Sequence, residues 1–121
     1  MRRDDPFIAH LLELLSPIGD AAARRLFGGW GIYLDGTMIG LVSEETFYLK
    51  TDESTRGAFE TAGSTPFAFE ARKRAKTIVT GYWSVPEQAL DAAEAMRPWA
   101  QRALDAARRK AAAAPKRRRF S

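Results

Sequence analysis

The stretch Trp30-Gly31-Ile32-Tyr33-Leu34-Asp35-Gly36-Thr37-Met38-Ile39-Gly40-Leu41-Val42 constrains the fold more than any other part of the chain. Apolar residues flank Asp35-Gly36 on both sides. A two-residue type I′ loop needs φ > 0 at both central positions, and Asp-Gly tolerates that. The stretch therefore reads as an antiparallel β-hairpin. A two-residue loop sets Leu34 opposite Thr37, Ile32 opposite Ile39 and Trp30 opposite Leu41 on one strongly apolar sheet face. On the other face Tyr33 meets Met38, Gly31 meets Gly40 and Gly29 meets Val42. Glycine weakens a strand, so Gly28, Gly29, Gly31 and Gly40 mark a bulge or a close backbone approach. In this register Gly31, Gly40 and nearby Gly29 leave a bare groove, to be filled by a neighbouring aromatic, a helix or a partner chain, with Leu49 a local candidate. Gly31→Val is expected to disrupt packing or association there.

The remaining elements follow from local signals. Asp5-Pro6 opens a helix, with Asp as N-cap and Pro at the first helical position. Phe7, Ile8, Leu11, Leu12 and Leu15 form its apolar stripe, and Ser16-Pro17 interrupts it. Ile18-Gly19-Asp20 turns into an Ala21–Arg25 approach to the hairpin. Ser43–Thr46 makes a second turn, and Phe47–Lys50 returns as a third strand. Thr51 or Asp52 caps a helix over 52–62, with Phe59 and Ala62 facing inward and Gly63 ending it. Thr65–Ala71 and Thr77–Trp83 read as two further strands, joined by the basic Arg72–Lys76 connection. Ser84 and Glu87 have capping-box spacing for a last helix running to Lys110. Leu90, Met96, Trp99, Ala103 and Leu104 are its buried positions, and Pro98 is expected to kink or divide it. Ala111–Ala114 read as a frayed helix end leading into a disordered tail. The order is helix, three strands, helix, two strands, helix: an α+β fold (α-β3-α-β2-α) in two layers, helices covering one side of a five-stranded sheet.

The chain of 121 residues is one domain's worth, with a net charge of +4. The charge is uneven. Arg108, Arg109, Lys110, Lys116, Arg117, Arg118 and Arg119 stand after residue 107 with no acid among them, while residues 1–107 hold 12 basic and 15 acidic side chains. The division is thus a mildly acidic domain, 1–107, and a basic helix end and tail, 108–121. The tail alone carries the case for nucleic acid, through sequence-independent, salt-sensitive phosphate contacts by those seven cations.

Reactive groups do not converge in the sequence. With no cysteine there is no thiolate nucleophile and no Cys-based metal site. His10 is the lone histidine and reads as a surface or boundary residue. The serines sit at turns and caps, as their backbone bonding favours, and no G-x-S-x-G elbow occurs. Gly28-Gly29-Trp30-Gly31 precedes a strand and lacks the Lys-Ser/Thr of a phosphate loop. Glu44 and Glu45 form a solvated turn. No catalytic residue, cofactor or metal is expected, and no apolar run reaches the length of a bilayer span. Large apolar side chains on both hairpin faces point instead to an interaction protein, with Arg25, Gly29, Trp30, Gly31, Tyr33 and Gly40 as contact candidates and a homodimer as one form of cover. A pocket lined by Trp30, Tyr33, Tyr82 and Trp83, holding an apolar or aromatic small molecule, is the alternative.

The run Arg24–Tyr33, Asp35-Gly36, Thr46–Lys50, Phe67, Tyr82–Glu87 and Pro98-Trp99 resembles, over residues 10–107, the N-terminal domain of the TfoX/Sxy family. The resemblance implies a cytoplasmic, non-catalytic bacterial regulator. Founding members govern natural competence together with the cyclic-AMP receptor protein, so a transcription factor or other protein is the implied partner. The resemblance implies no catalytic motif, and it implies a small α+β architecture shared with secretion chaperones.

Overall fold

The computed structural model describes residues 5–26, 28–71 and 76–113. The Asp35-Gly36 loop has φ of 50° and 83°, the type I′ pattern. It joins β2 (Gly29–Leu34) to β3 (Thr37–Ser43). A second two-residue loop, Glu44-Glu45 with φ of 50° and 62°, joins β3 to β4 (Thr46–Lys50).

The register departs from the expected one two pairs beyond the first turn. Leu34 pairs with Thr37 and Tyr33 with Met38, but a bulge then sets Ile32 opposite Gly40, Gly31 opposite Leu41 and Trp30 opposite Val42. Ile39 is the extra residue. Gly31 and Gly40 therefore do not face each other, and the bare groove does not form. Gly40 lies on the core side, where a Cβ would collide with the Tyr48 carbonyl and stand 2.9 Å from Phe47 Cε1. The Phe47 ring fills that space. A Cβ at Gly29 would likewise strike the Val42 carbonyl, whereas one at Gly31 would meet Tyr33 Cε1 at 3.3 Å and the tips of Leu26 and Met38 at 3.4 Å. The obligatory close approaches are at Gly29 and Gly40.

Among the described residues the sheet has six strands, not five, ordered β1-β2-β3-β4-β6-β5, with every pairing antiparallel. The added strand, β1 (Ala21–Leu26), pairs along the whole of β2. Its sequence, AAARRL, carries little strand propensity; the free edge of β2 imposes the conformation. Its entry is fastened by Asp35, whose Oδ1 accepts from Asp20 N–H at 2.9 Å and whose own N–H donates to Asp20 O at 2.8 Å. β5 (Pro66–Ala71) and β6 (Lys76–Ser84) form the far side.

Among the described residues three α-helices accompany the sheet. α1 (Pro6–Leu15) begins as expected: Asp5 Oδ1 accepts from the N–H groups of Phe7 and Ile8. Its buried residues are Ile8, Leu11, Leu14 and Leu15, while Phe7 and Leu12 are half-buried, so the stripe is rotated slightly from Leu12 toward Leu14. α2 (Arg56–Thr61) is shorter than 52–62, because Asp52–Thr55 forms a turn ahead of it. Gly63, with φ of 85°, ends it; Phe59 is buried, but Ala62 is exposed.

The Ser84–Glu87 capping box does not form. Ser84 is the last residue of β6 and its Oγ accepts from Thr65 N–H, so it holds β5's approach and not a helix N-terminus. A single 3₁₀ turn, Glu87–Leu90, follows, and then α3 (Ala93–Ala112). The division falls at Asp91-Ala92, where Ala92 is extended, and α3 runs through Pro98. The Arg72–Ala75 connection and the stretch from Ala114 onward lie outside the described residues.

The core lies between one sheet face and α1 and α3. Ile32, Leu34, Ile39, Val42, Phe47 and Leu49 meet Leu11, Leu15, Met96 and Leu104. Each large side chain so buried contributes roughly 1.5–3 kcal/mol. Ala100, Ala103, Ala106 and Ala107 are buried on α3, and their small size lets the helix lie close to its neighbours. Phe59 closes one end, edge-on to Trp99 at 4.9 Å.

Candidate functional site

Period-two alternation sends every second strand residue away from α1 and α3. Leu26, Tyr33, Met38, Leu41, Tyr48 and Phe67 fall on that side. Each is half-buried, and none packs into the helix-side core. They form a lane across the sheet. Leu26, Tyr33 and Met38 surround the Gly31 backbone within about 3.4 Å of an added Cβ. Leu41 pairs with Tyr48, whose ring lies 5.0 Å from that of Phe67, and Phe67 is 6.1 Å from Phe69. Phe69 is 47% exposed, the one large apolar side chain so exposed among those described. A depression of about 110 Å³ opens among Leu26, Leu41 and Phe67 beside Gly29.

Cations border the lane. The Arg24 guanidinium lies 5.3 Å from the Tyr33 ring centre, and Lys50 Nζ lies 5.0 Å from that of Tyr82. Strand positions of β1–β4 on this face contribute no carboxylate. The surface is therefore apolar, aromatic and basic at its margins.

The six contact candidates read from the sequence do not share this face. Gly29, Gly31 and Tyr33 do. Trp30 packs against the helix-side core, with Arg25 5.1 Å from its ring centre, and Gly40 is buried beneath Phe47. The lane's further members, Met38, Leu41, Tyr48 and Phe67, were hidden by the bulge: with Trp30 set opposite Leu41, Leu41 falls on the wrong face. Once Gly31 pairs with Leu41, alternation finds it. The rings of the alternative pocket do not converge either, since Trp30 and Trp83 pack on the helix side while Tyr33 and Tyr82 lie on the other.

The basic residues present a second feature. Arg108, Arg109 and Lys110 occupy the last turns of α3 and are exposed. Arg109 is engaged: its Nε donates to Asp52 Oδ2 at 2.7 Å and its Nη2 to Oδ1 at 3.1 Å, a bidentate pair. Asp52 also accepts from the N–H groups of Ser54 and Thr55 and from the Thr55 hydroxyl, which in turn accepts from Asp52 N–H. This reciprocal side-chain–backbone bonding closes the turn ahead of α2; it does not cap the helix itself. The hydrogen bonds from Arg109 are the main cause that holds the Asp52 carboxyl down at about 2. Lys116, Arg117, Arg118 and Arg119 lie outside the described residues.

Remaining polar groups serve the backbone. His10 is exposed, and its Nε2 donates to the Leu90 carbonyl at 2.8 Å, tying α1 to the 3₁₀ turn. Ser16 Oγ donates to Glu13 O. Among the described residues no group of three or more His, Cys, Asp or Glu side chains could hold a metal ion. No described helix is long and apolar enough to cross a membrane.

Residues 13–107 match the family model of the TfoX N-terminal domain. No curated protein matches the chain. The match spans the sheet, α2 and most of α3, and begins within α1. The chain belongs to the TfoX N-terminal domain family.

Proposed function

We propose that this non-catalytic domain is a cytoplasmic regulatory adaptor in transcription, and that it works by docking a protein partner on the helix-free sheet face. One observation carries the reading. Leu26, Tyr33, Met38, Leu41, Tyr48 and Phe67 form a contiguous apolar lane outside the core, extended by exposed Phe69. Monomeric proteins seldom leave such a patch uncovered unless something binds it. Aromatic and Met side chains with Arg at the rim are the composition of an interface centre. The basic margin favours an acidic-rimmed partner over a second copy of the chain, because a face-to-face homodimer would bring Arg24 and Lys50 of both copies onto one surface. The basic stretch 108–121 adds non-specific contact with DNA near the partner's site.

Leu41→Lys tests the proposal. The residue is half-buried at the lane's centre and contributes nothing to the helix-side core. The variant should retain its thermal midpoint within a few degrees while the host's transcript profile shifts to that of a deletion. A variant of unchanged stability with an unchanged transcript profile would overturn the assignment.

A further inference from the structure

Where β4 and β6 run out beside the end of α3, a cleft of about 510 Å³ is lined by Lys50, Asp52, Gly81, Tyr82, Arg109 and Lys110. The family match covers the fold of this region but ends at residue 107, before two of the three cations. Three cationic side chains and one carboxylate give the cleft a net charge of +2. The single carboxylate, Asp52, is already paired to Arg109. Among the described residues no carboxylate stands within salt-bridge distance of Lys50 or Lys110.

An uncharged neighbour holds Lys50: its Nζ lies 3.4 Å from the Tyr82 hydroxyl oxygen and 5.0 Å from the ring centre. At Gly81 an added Cβ would meet only the Thr51 carbonyl, at 3.8 Å, so that wall of the cleft is bare backbone with room above it. The α3 C-terminus is the negative end of the helix dipole and by itself disfavours an anion. Arg108, Arg109 and Lys110 in its last turns outweigh that half charge.

We propose that this cleft binds a backbone phosphate of nucleic acid, seated between Lys50 and Lys110. The inference rests on the proposed DNA contact of residues 108–121 and gives it a structured anchor. Nucleic acid is favoured over a free phosphate compound by continuity. The chain leaves α3 at this cleft and goes on to Lys116-Arg117-Arg118-Arg119, cations suited to the successive phosphates of one backbone. Tyr82 adds an aromatic edge of the kind that accompanies nucleic-acid phosphate grooves.

Fluorescence anisotropy of the full chain with a labelled mixed-sequence 20-base-pair duplex, at several salt concentrations, tests this. Each phosphate neutralised releases about 0.9 counterion, roughly eightfold in affinity at 0.1 M salt. Lys50→Gln and Lys110→Gln should each weaken binding by about that factor and lower the salt slope by about one. Asp52→Asn keeps an acceptor oxygen for the Ser54 and Thr55 N–H groups, removes the one negative charge and frees Arg109 from its ion pair, so it should tighten binding about fivefold. A general loss of fold would weaken all three, which sets that outcome apart; unchanged thermal midpoints of the lysine variants complete the control.

A chain with Lys116, Arg117, Arg118 and Arg119 all changed to Gln separates cleft from tail. If it loses binding while Lys50→Gln and Lys110→Gln do nothing, the tail contact stands and the cleft is overturned. If it binds like the unaltered chain while the lysine variants weaken, the cleft stands and the tail reading falls. Unchanged affinity and slope in every variant overturns both. Binding of pyrophosphate at the cleft without duplex binding overturns the nucleic-acid assignment.

Discussion

Gly40→Ala should destabilise the domain far more than Gly31→Ala, although the two glycines sit on neighbouring strands of one hairpin. At position 40 the new methyl enters the Tyr48 carbonyl on β4 and stands 2.9 Å from Phe47 Cε1 and 3.4 Å from Leu49 Cα. Two of these three obstacles are backbone. The third is a fully buried ring at 1% exposure. None can move without parting β3 from β4 at the centre of the sheet. Overpacking of this kind costs roughly 1–3 kcal/mol, and backbone obstacles place it at the upper end, about 2–3 kcal/mol. At position 31 the first contacts are 3.3–3.4 Å from the flexible ends of Tyr33, Leu26 and Met38 on the helix-free face. Those tips can shift by a few tenths of an ångström, so the change should stay within about 0.5 kcal/mol. For a domain of this size 1 kcal/mol moves Tm by about 4 °C. Thermal and urea unfolding followed by far-UV circular dichroism should therefore put Gly40→Ala roughly 8–12 °C below the unaltered chain and Gly31→Ala close to it. Equal losses at both positions, or a neutral Gly40→Ala, would refute the bulged register and restore the simple Gly31–Gly40 pairing.

Two further outcomes follow from the same local chemistry. Asp52 has a folded-state pKa of about 2 against an ordinary 3.8, so the stability it supplies is complete above pH 4 and is lost as pH falls through about 2. Asp52→Ala should cost about 1 kcal/mol at pH 7 through the lost hydrogen bonds of the Asp52–Thr55 turn, and the deficit should shrink between pH 4 and 2 in urea unfolding. Glu44 and Glu45 both hold φ > 0 in a type I′ loop, a conformation that suits Asn-Gly. The double change Glu44→Asn with Glu45→Gly should stabilise the domain by about 1 kcal/mol, read as a raised urea midpoint.

The parts of the fold legible in the sequence were those whose cause is local. Asp5-Pro6 starts α1 because a cap and a pre-set φ act within three residues. Asp35-Gly36 makes its turn because only two dihedrals decide it. Gly63 ends α2 for the same reason. Strand β1 was not legible, since AAARRL becomes extended only by pairing with β2. Nor was the bulge, whose reason is a Phe47 ring and a Tyr48 carbonyl brought from the next strand. Ser84-x-x-Glu87 has the spacing of a capping box, but β6 claims Ser84 and Thr65 claims its oxygen.

The candidate surfaces divide along the same line. A helix-free sheet face was foreseeable from large apolar residues on both sides of the hairpin. Its membership was not, because one bulge exchanges the faces of every residue beyond it, moving Leu41 onto the lane and Gly40 into the core. Arg109 was visible as part of a basic run. Its engagement with Asp52, 57 residues away, has no sequence signal, and neither does the approach of Lys50 to the same cleft.

The most direct test of the sheet face as the docking surface is site-specific photo-crosslinking in the native host. A photoreactive phenylalanine analogue would replace Tyr48 at the centre of the lane, with the exposed α3 residue Arg97 as the comparison position. Position 48 should give one discrete adduct, identified by mass spectrometry as a protein of the transcription machinery, and position 97 none. Equal adducts from both positions, or a partner captured only from position 97, would contradict docking on the sheet face.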